Sequence, residues 1–95
     1  MSSVSEPVTA ALHIQSDVVS RTVGDEMVLL DLKTGTYFTL NSVGALVWSG
    51  VEAGLSVDQI AEMVVAEFSV DVATARADIH ALLSELVQQS LVTAT

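Results

Sequence analysis

The stretch Met27-Val28-Leu29-Leu30-Asp31-Leu32, Lys33-Thr34-Gly35, Thr36-Tyr37-Phe38-Thr39-Leu40 decides the fold class. Its first run is too short for a helix that stands alone and is rich in strand formers. Lys33-Thr34-Gly35 is a turn signal, with glycine free to take positive φ. The second run again has high β propensity. Glu26–Leu32 and Thr36–Leu40 are therefore predicted as a hairpin. Upstream, Val18, Val19, Arg21 and Val23 form a β-branched stretch ended by Gly24-Asp25, which predicts a third antiparallel strand.

Downstream of Leu40 the apolar period changes to that of helices. Asn41 or Ser42 can cap a helix running to about Glu52, with Val43, Leu46, Val47 and Val51 on one face, Trp48 beside it and Gly54 at its end. Ser56-Val57-Asp58-Gln59 has the form of a capping box, followed by the stripe Ile60, Ala61, Val64 and Phe68. Asp71 can cap a third helix from Val72 to about Gln89, with Val72, Ala75, Ile79, Leu82 and Leu86 as its core stripe; Leu91-Val92 then packs back. The predicted class is α+β: a three-stranded antiparallel sheet followed by three helices (βββααα), in a winged-helix-like arrangement.

A length of 95 residues allows one domain. We expect residues 1–11, rich in Ser and holding the only Pro, to be a disordered tail, and residues 12–95 to be the domain. With no cysteine and two histidines, the chain has no disulfide framework, no thiolate site and no all-histidine metal cage. Its net charge is −9, and its only cations are Arg21, Lys33 and Arg76, too few and too scattered for a phosphate-binding patch. No apolar run approaches the ~20 residues of a membrane helix. The first residues lack the basic segment of a signal peptide, so the protein is expected in the cytoplasm.

The residues offer little to catalysis. His80 lies near Asp78 and Glu85, which a solvated helix face explains better than acid–base chemistry. Nothing resembles a nucleophile elbow, and the five glycines form no phosphate loop. Trp48 could stack a ligand but fits the core beside the first helix's apolar face. We expect no enzymatic activity, no cofactor and no metal.

The ordered set Leu29-Leu30-Asp31, Gly35, Tyr37-Phe38, Leu40-Asn41, Gly44 and Trp48 resembles the PqqD family, whose loose pattern is LLD-x-x-x-G-x-Y-F-x-L-N-x-x-G-x-x-x-W. The resemblance extends over residues 18–92, through Leu55–Ala61 and Asp78-Ile79 with Leu82-Leu83 and Leu86. It implies a non-catalytic recognition element for ribosomally made, modified peptides. Such an element binds the leader segment of a precursor peptide as an extra strand beside its third strand, against its third helix. The quinone-cofactor member, which serves a radical-SAM enzyme, has a Leu-x-Pro-Glu type connection between its second and third strands. Asp31-Leu32-Lys33-Thr34-Gly35-Thr36 has no Pro there, so the chain is more similar to the stand-alone recognition proteins of lasso-peptide clusters. Those work with a leader peptidase and an ATP-dependent macrocyclase.

The residues themselves allow such a role. If Glu26–Leu32 is central, Thr36–Leu40 is an edge, and Thr36, Tyr37, Phe38, Thr39 and Leu40 include no charge or Pro to block pairing. The alternative is an edge covered by the segment around Leu12-His13-Ile14. On the third helix, Arg76, His80, Leu83 and Val87 share a flank that could form a second wall, or could simply widen the core. A winged-helix DNA-binding regulator is the competing class. Ser56–Phe68, where a recognition helix could lie, has no Lys or Arg and carries Asp58, Glu62 and Glu67.

Overall fold

The predicted hairpins are present in the computed structural model, which describes residues 12–94; the tail expected over residues 1–11 lies outside the described residues. The elements are β1 (Leu12–Ile14), β2 (Val18–Val23), β3 (Glu26–Asp31), β4 (Thr36–Leu40), α1 (Ser42–Glu52), α2 (Val57–Phe68), α3 (Val72–Gln88) and β5 (Val92–Ala94). The order β2-β3-β4 forms a three-stranded antiparallel sheet, with β3 in the centre. Gly35 turns the chain between β3 and β4 at φ +78°, and its N–H donates to the Asp31 carbonyl at 2.7 Å. The fold is α+β, with the expected sheet and three helices.

One element goes beyond the expectation. Leu12–Ile14 does not cover the sheet edge. It pairs antiparallel with β5 to make a separate two-stranded sheet, Ile14 opposite Val92. Leu91-Val92 does return to the core, as read from the sequence, and both side chains are buried.

The caps match the sequence. Asn41 caps α1 by accepting the Gly44 N–H at 2.9 Å. Ser56 and Gln59 complete a reciprocal box at the start of α2. Asp71 caps α3, and the Thr74 backbone N–H, then its hydroxyl, holds the exposed Asp71 carboxyl below its ordinary value. A depressed folded-state pKa means this contribution is fully present above the unfolded pKa and is lost as pH falls through the folded one. Urea midpoints measured across the acid range should therefore decline less steeply for Asp71→Asn than for wild type. Identical pH profiles would remove Asp71 as a contributor.

The core lies between the inner sheet face, which carries Met27, Leu29 and Leu40, and the helices, which contribute Val47, Trp48, Ile60, Val64, Ile79 and Leu86. Two details correct the sequence reading. On α3, Leu83 is buried at 7% exposure, Leu82 is only partly buried, and Val72, in the first turn, is 51% exposed. Both Leu82 and Leu83 fall within one helical turn of Ile79, so periodicity alone cannot choose between them. On α1, Val43 and Leu46 are partly buried, while Gly44 and Gly50 sit at the buried contacts.

Gly50 explains how closely α1 and α2 approach. A Cβ built there would lie 2.6 Å from Ile60 Cγ1, and Ile60 is fully buried. Gly50→Ala should gain about 1 kcal/mol in helix propensity but lose about 1–3 kcal/mol to overpacking. A net destabilisation in urea is expected; a variant more stable than wild type would mean that α2 shifts freely.

Candidate functional site

β4 has a strand neighbour on one side only among the described residues, so its other side is a free edge. Backbone alternation fixes which groups face that edge. β2 and β3 are joined by the two-residue loop Gly24-Asp25, with Gly24 at φ +67°, so Val23 and Glu26 form the closing hydrogen-bonded pair. Alternation then aims the backbone groups of Met27, Leu29 and Asp31 at β4, where they meet Leu40, Phe38 and Thr36. The N–H and C=O groups of Tyr37 and Thr39 consequently point to the free edge.

Side chains alternate across the sheet. Thr36, Phe38 and Leu40 share the inner face with buried Leu29 and Met27, while Tyr37 and Thr39 stand on the outer face. Leu40 is buried, so its side chain belongs to the core.

Beside the inner side of β4 runs a cleft of about 270 Å³, with Asp31, Thr34, Thr36 and Phe38 on one side and Gln88, Gln89, Ser90 and Leu91 on the other. The strand side is held by the turn: Thr34 Oγ1 accepts the Thr36 N–H at 3.2 Å and donates to Thr36 Oγ1 at 2.9 Å. The helix side is built by the end of α3. Ser90 sits at φ +63°, its N–H donates to the Val87 carbonyl at 3.0 Å, and the Leu91 N–H donates to the Leu86 carbonyl at 2.9 Å. These are the paired bonds of a Schellman motif, with Leu86 and Leu91 as its apolar contact. The cleft thus combines hydroxyls, amides and one carboxylate with an aromatic and an aliphatic side chain. It can hydrogen-bond an extended backbone and bury apolar side chains.

The predicted site residues are distributed unevenly. Thr36 and Phe38 line the cleft, and Tyr37 and Thr39 offer the free edge. Arg76 is turned to α2, where it forms an ion pair with Asp58 at 2.6 Å. His80 is exposed, Val87 is 42% exposed, and Leu83 belongs to the core. Sequence reasoning missed Asp31, Thr34, Gln88, Gln89, Ser90 and Leu91 as cleft residues. Ser90 occupies a position where glycine usually announces a helix end, so the turn that builds the helix wall gave no signal. Among the described residues no helix is long and apolar enough to cross a membrane.

The family described as "Coenzyme PQQ synthesis protein D (PqqD)" matches residues 26–92, which takes in the edge strand, all three helices and the helix-end turn. The chain belongs to the PqqD family. Two solved structures are similar to this chain. "TbiB1 in Complex with the TbiA(beta) Leader Peptide" is 41% identical, has a TM-score of 0.79, and covers 84% of this chain and 93% of its own. "Lasso peptide synthetase B1 complexed with the leader peptide" is 27% identical with a TM-score of 0.81, covering 88% of this chain and 99% of its own. A comparison with curated proteins found no match.

Proposed function

We propose that this PqqD-family chain is the leader-recognition protein of a lasso-type peptide pathway. It binds the leader region of a ribosomally synthesised precursor and delivers it to the leader peptidase and macrocyclase. The observation that carries this is the uncharged free edge of β4 beside a cleft, in a chain similar to two proteins solved with leader peptides. The leader adds as a strand along Thr36–Leu40, bonding the Tyr37 and Thr39 backbones. Its inward side chains enter the cleft between Phe38 and the end of α3, where Val87 extends the wall and Leu83 supports it from beneath. Arg76 and His80 lie further along the same flank.

The role is non-catalytic and cytoplasmic, and the domain is residues 12–95. In architecture it is a winged-helix-like unit turned to peptide recognition. Its α2 presents Asp58, Glu62 and Glu67, all exposed, a charge pattern hostile to DNA.

Fluorescence polarisation with a labelled lasso-precursor leader tests the reading. A linear peptide pays an ordering cost on binding, so a Kd between roughly 0.1 and 10 μM is expected. No saturable leader binding, together with a tight complex with nonspecific DNA in a low-salt gel shift, would overturn it.

A further inference from the structure

The cleft beside β4 carries a single formal charge. Asp31 is the one ionisable side chain around it; the other polar groups there are the neutral amides of Gln88 and Gln89 and the hydroxyls of Thr34, Thr36 and Ser90. Asp31 is half-buried and stands on the inner sheet face with Leu29 and Met27.

Part of this carboxylate is already explained. Its Oδ1 accepts the Lys33 N–H at 2.9 Å, which shapes the turn between β3 and β4. That bond needs an oxygen acceptor, which asparagine would supply as well, but it does not need a charge. No cation lies within ion-pair distance of Asp31 among the described residues. Lys33, two residues on, is directed to Asp17 at 3.6 Å, and Arg76 is held by Asp58. Once the turn is accounted for, Oδ2 and the negative charge are left over, on the wall of a cleft.

Strand register decides what can reach them. Across the sheet Asp31 faces Thr36, Leu29 faces Phe38 and Met27 faces Leu40. A strand added to β4 extends each of these inner-face rows by one residue. In the Phe38 row an aromatic ring stands between the newcomer and β3. In the Asp31 row only the short, exposed side chain of Thr36 intervenes. A residue opposite Thr36 starts about 10 Å from the Asp31 backbone, two strand spacings away. The four-carbon stem of a lysine from one side and the short stem of Asp31 from the other close that gap between them.

We propose that Asp31 selects a leader carrying lysine or arginine at the position that faces Thr36. The proposal rests on the addition of the leader at β4. A leader strand that covers the cleft strips water from the carboxylate. An apolar residue opposite Thr36 then leaves the charge without a partner, which opposes binding. A basic residue replaces the lost water with a charge-assisted hydrogen bond to the free oxygen. Asp31 thereby sets specificity at one leader position, while the backbone of β4 supplies affinity that does not depend on sequence.

Fluorescence polarisation tests this with labelled peptides of one lasso-precursor leader. Each carries either lysine or glutamine at one position of the strand-adding segment, and each is measured against wild type and Asp31→Asn. The expected result on wild type is a lysine preference of about fivefold or more at one position, between the value of an exposed ion pair and that of a buried charged hydrogen bond. The two adjacent positions, whose side chains stand on the outer face, should show none. On Asp31→Asn, which keeps the acceptor for the Lys33 N–H, the preference should vanish. On wild type it should also shrink as salt is raised, a readout that does not depend on how the variant folds. An equal lysine preference at every position would assign it to the net charge of −9 and overturn the role of Asp31. A preference that Asp31→Asn retains, or peptides that bind wild type with no preference at all, would overturn it too. If no leader peptide binds wild type, the strand-addition reading itself has failed, and the proposal falls with it.

Discussion

Thr39→Pro should weaken leader binding at least tenfold while the circular dichroism spectrum stays that of the folded chain. Thr39 is exposed, its side chain stands on the outer sheet face, and its N–H points away from β3. Proline at this position removes a donor that only an incoming strand uses and places a ring where that strand must approach. One net hydrogen bond is worth about 0.5–1.5 kcal/mol. The clash adds to it, and about 1.4 kcal/mol already corresponds to tenfold. The neighbouring substitution behaves differently for a physical reason. Phe38 is paired with Leu29 and spends its N–H on the β3 ladder, so Phe38→Pro should lower stability as well as binding and cannot isolate the edge. A folded Thr39→Pro variant with wild-type leader affinity in fluorescence polarisation would move the leader off β4.

The helix wall needs a similar distinction. Leu83→Glu would put an unpaired charge at a position that is 7% exposed, so its first effect is on folding. Val87→Glu, on the exposed part of the same flank, is the cleaner probe, and it should weaken binding of a leader that sets apolar side chains against α3. Lys33→Ala should leave binding unchanged, since Lys33 sits in the exposed turn.

What the sequence disclosed follows from how local each signal is. Gly24-Asp25 and Gly35 mark turns within two hairpins, and the strands they join are neighbours in the chain, so the three-stranded sheet could be read directly, while whether Leu12-His13-Ile14 covered the β4 edge could not. Asn41, Ser56 with Gln59, and Asp71 bond to amides three residues away, which makes the caps equally legible. The β1–β5 pairing joins the two ends of the described chain, and nothing near Leu12-His13-Ile14 names Val92 as a partner. The cleft was illegible for a related reason. Its strand side was foreseen from Thr36 and Phe38, but its helix side depends on Ser90 taking positive φ and folding Leu91 back onto Leu86. The choice between Leu82 and Leu83 rests on how α3 rolls against the rest of the core, a tertiary quantity that a period of 3.6 leaves open.

Trp48 should give the largest loss of stability of any single truncation in the helical core. It is 1% exposed, belongs to the same buried cluster as Leu29 and Ile60, and is the largest fully buried side chain. Trp48→Ala should cost about 3–5 kcal/mol, because the transfer term and the residual cavity add. That is a large share of the 5–15 kcal/mol typical of a domain. Trp48→Phe divides the effect. The indole Nε1–H is buried without a hydrogen-bond partner among the described residues, so Trp48 serves the fold through its volume. Phenylalanine keeps most of the apolar contact and removes a donor whose desolvation costs about 1–3 kcal/mol. The expected order of urea midpoints is wild type near Trp48→Phe, with Trp48→Ala far below both. Lys33→Ala sets the other end of the scale: its ion pair to Asp17 is 3.6 Å long and exposed, and such pairs contribute ~0–1 kcal/mol. If Trp48→Phe fell as far as Trp48→Ala, the indole N–H would have to be making a bond, and the reading of Trp48 as a volume filler would be wrong.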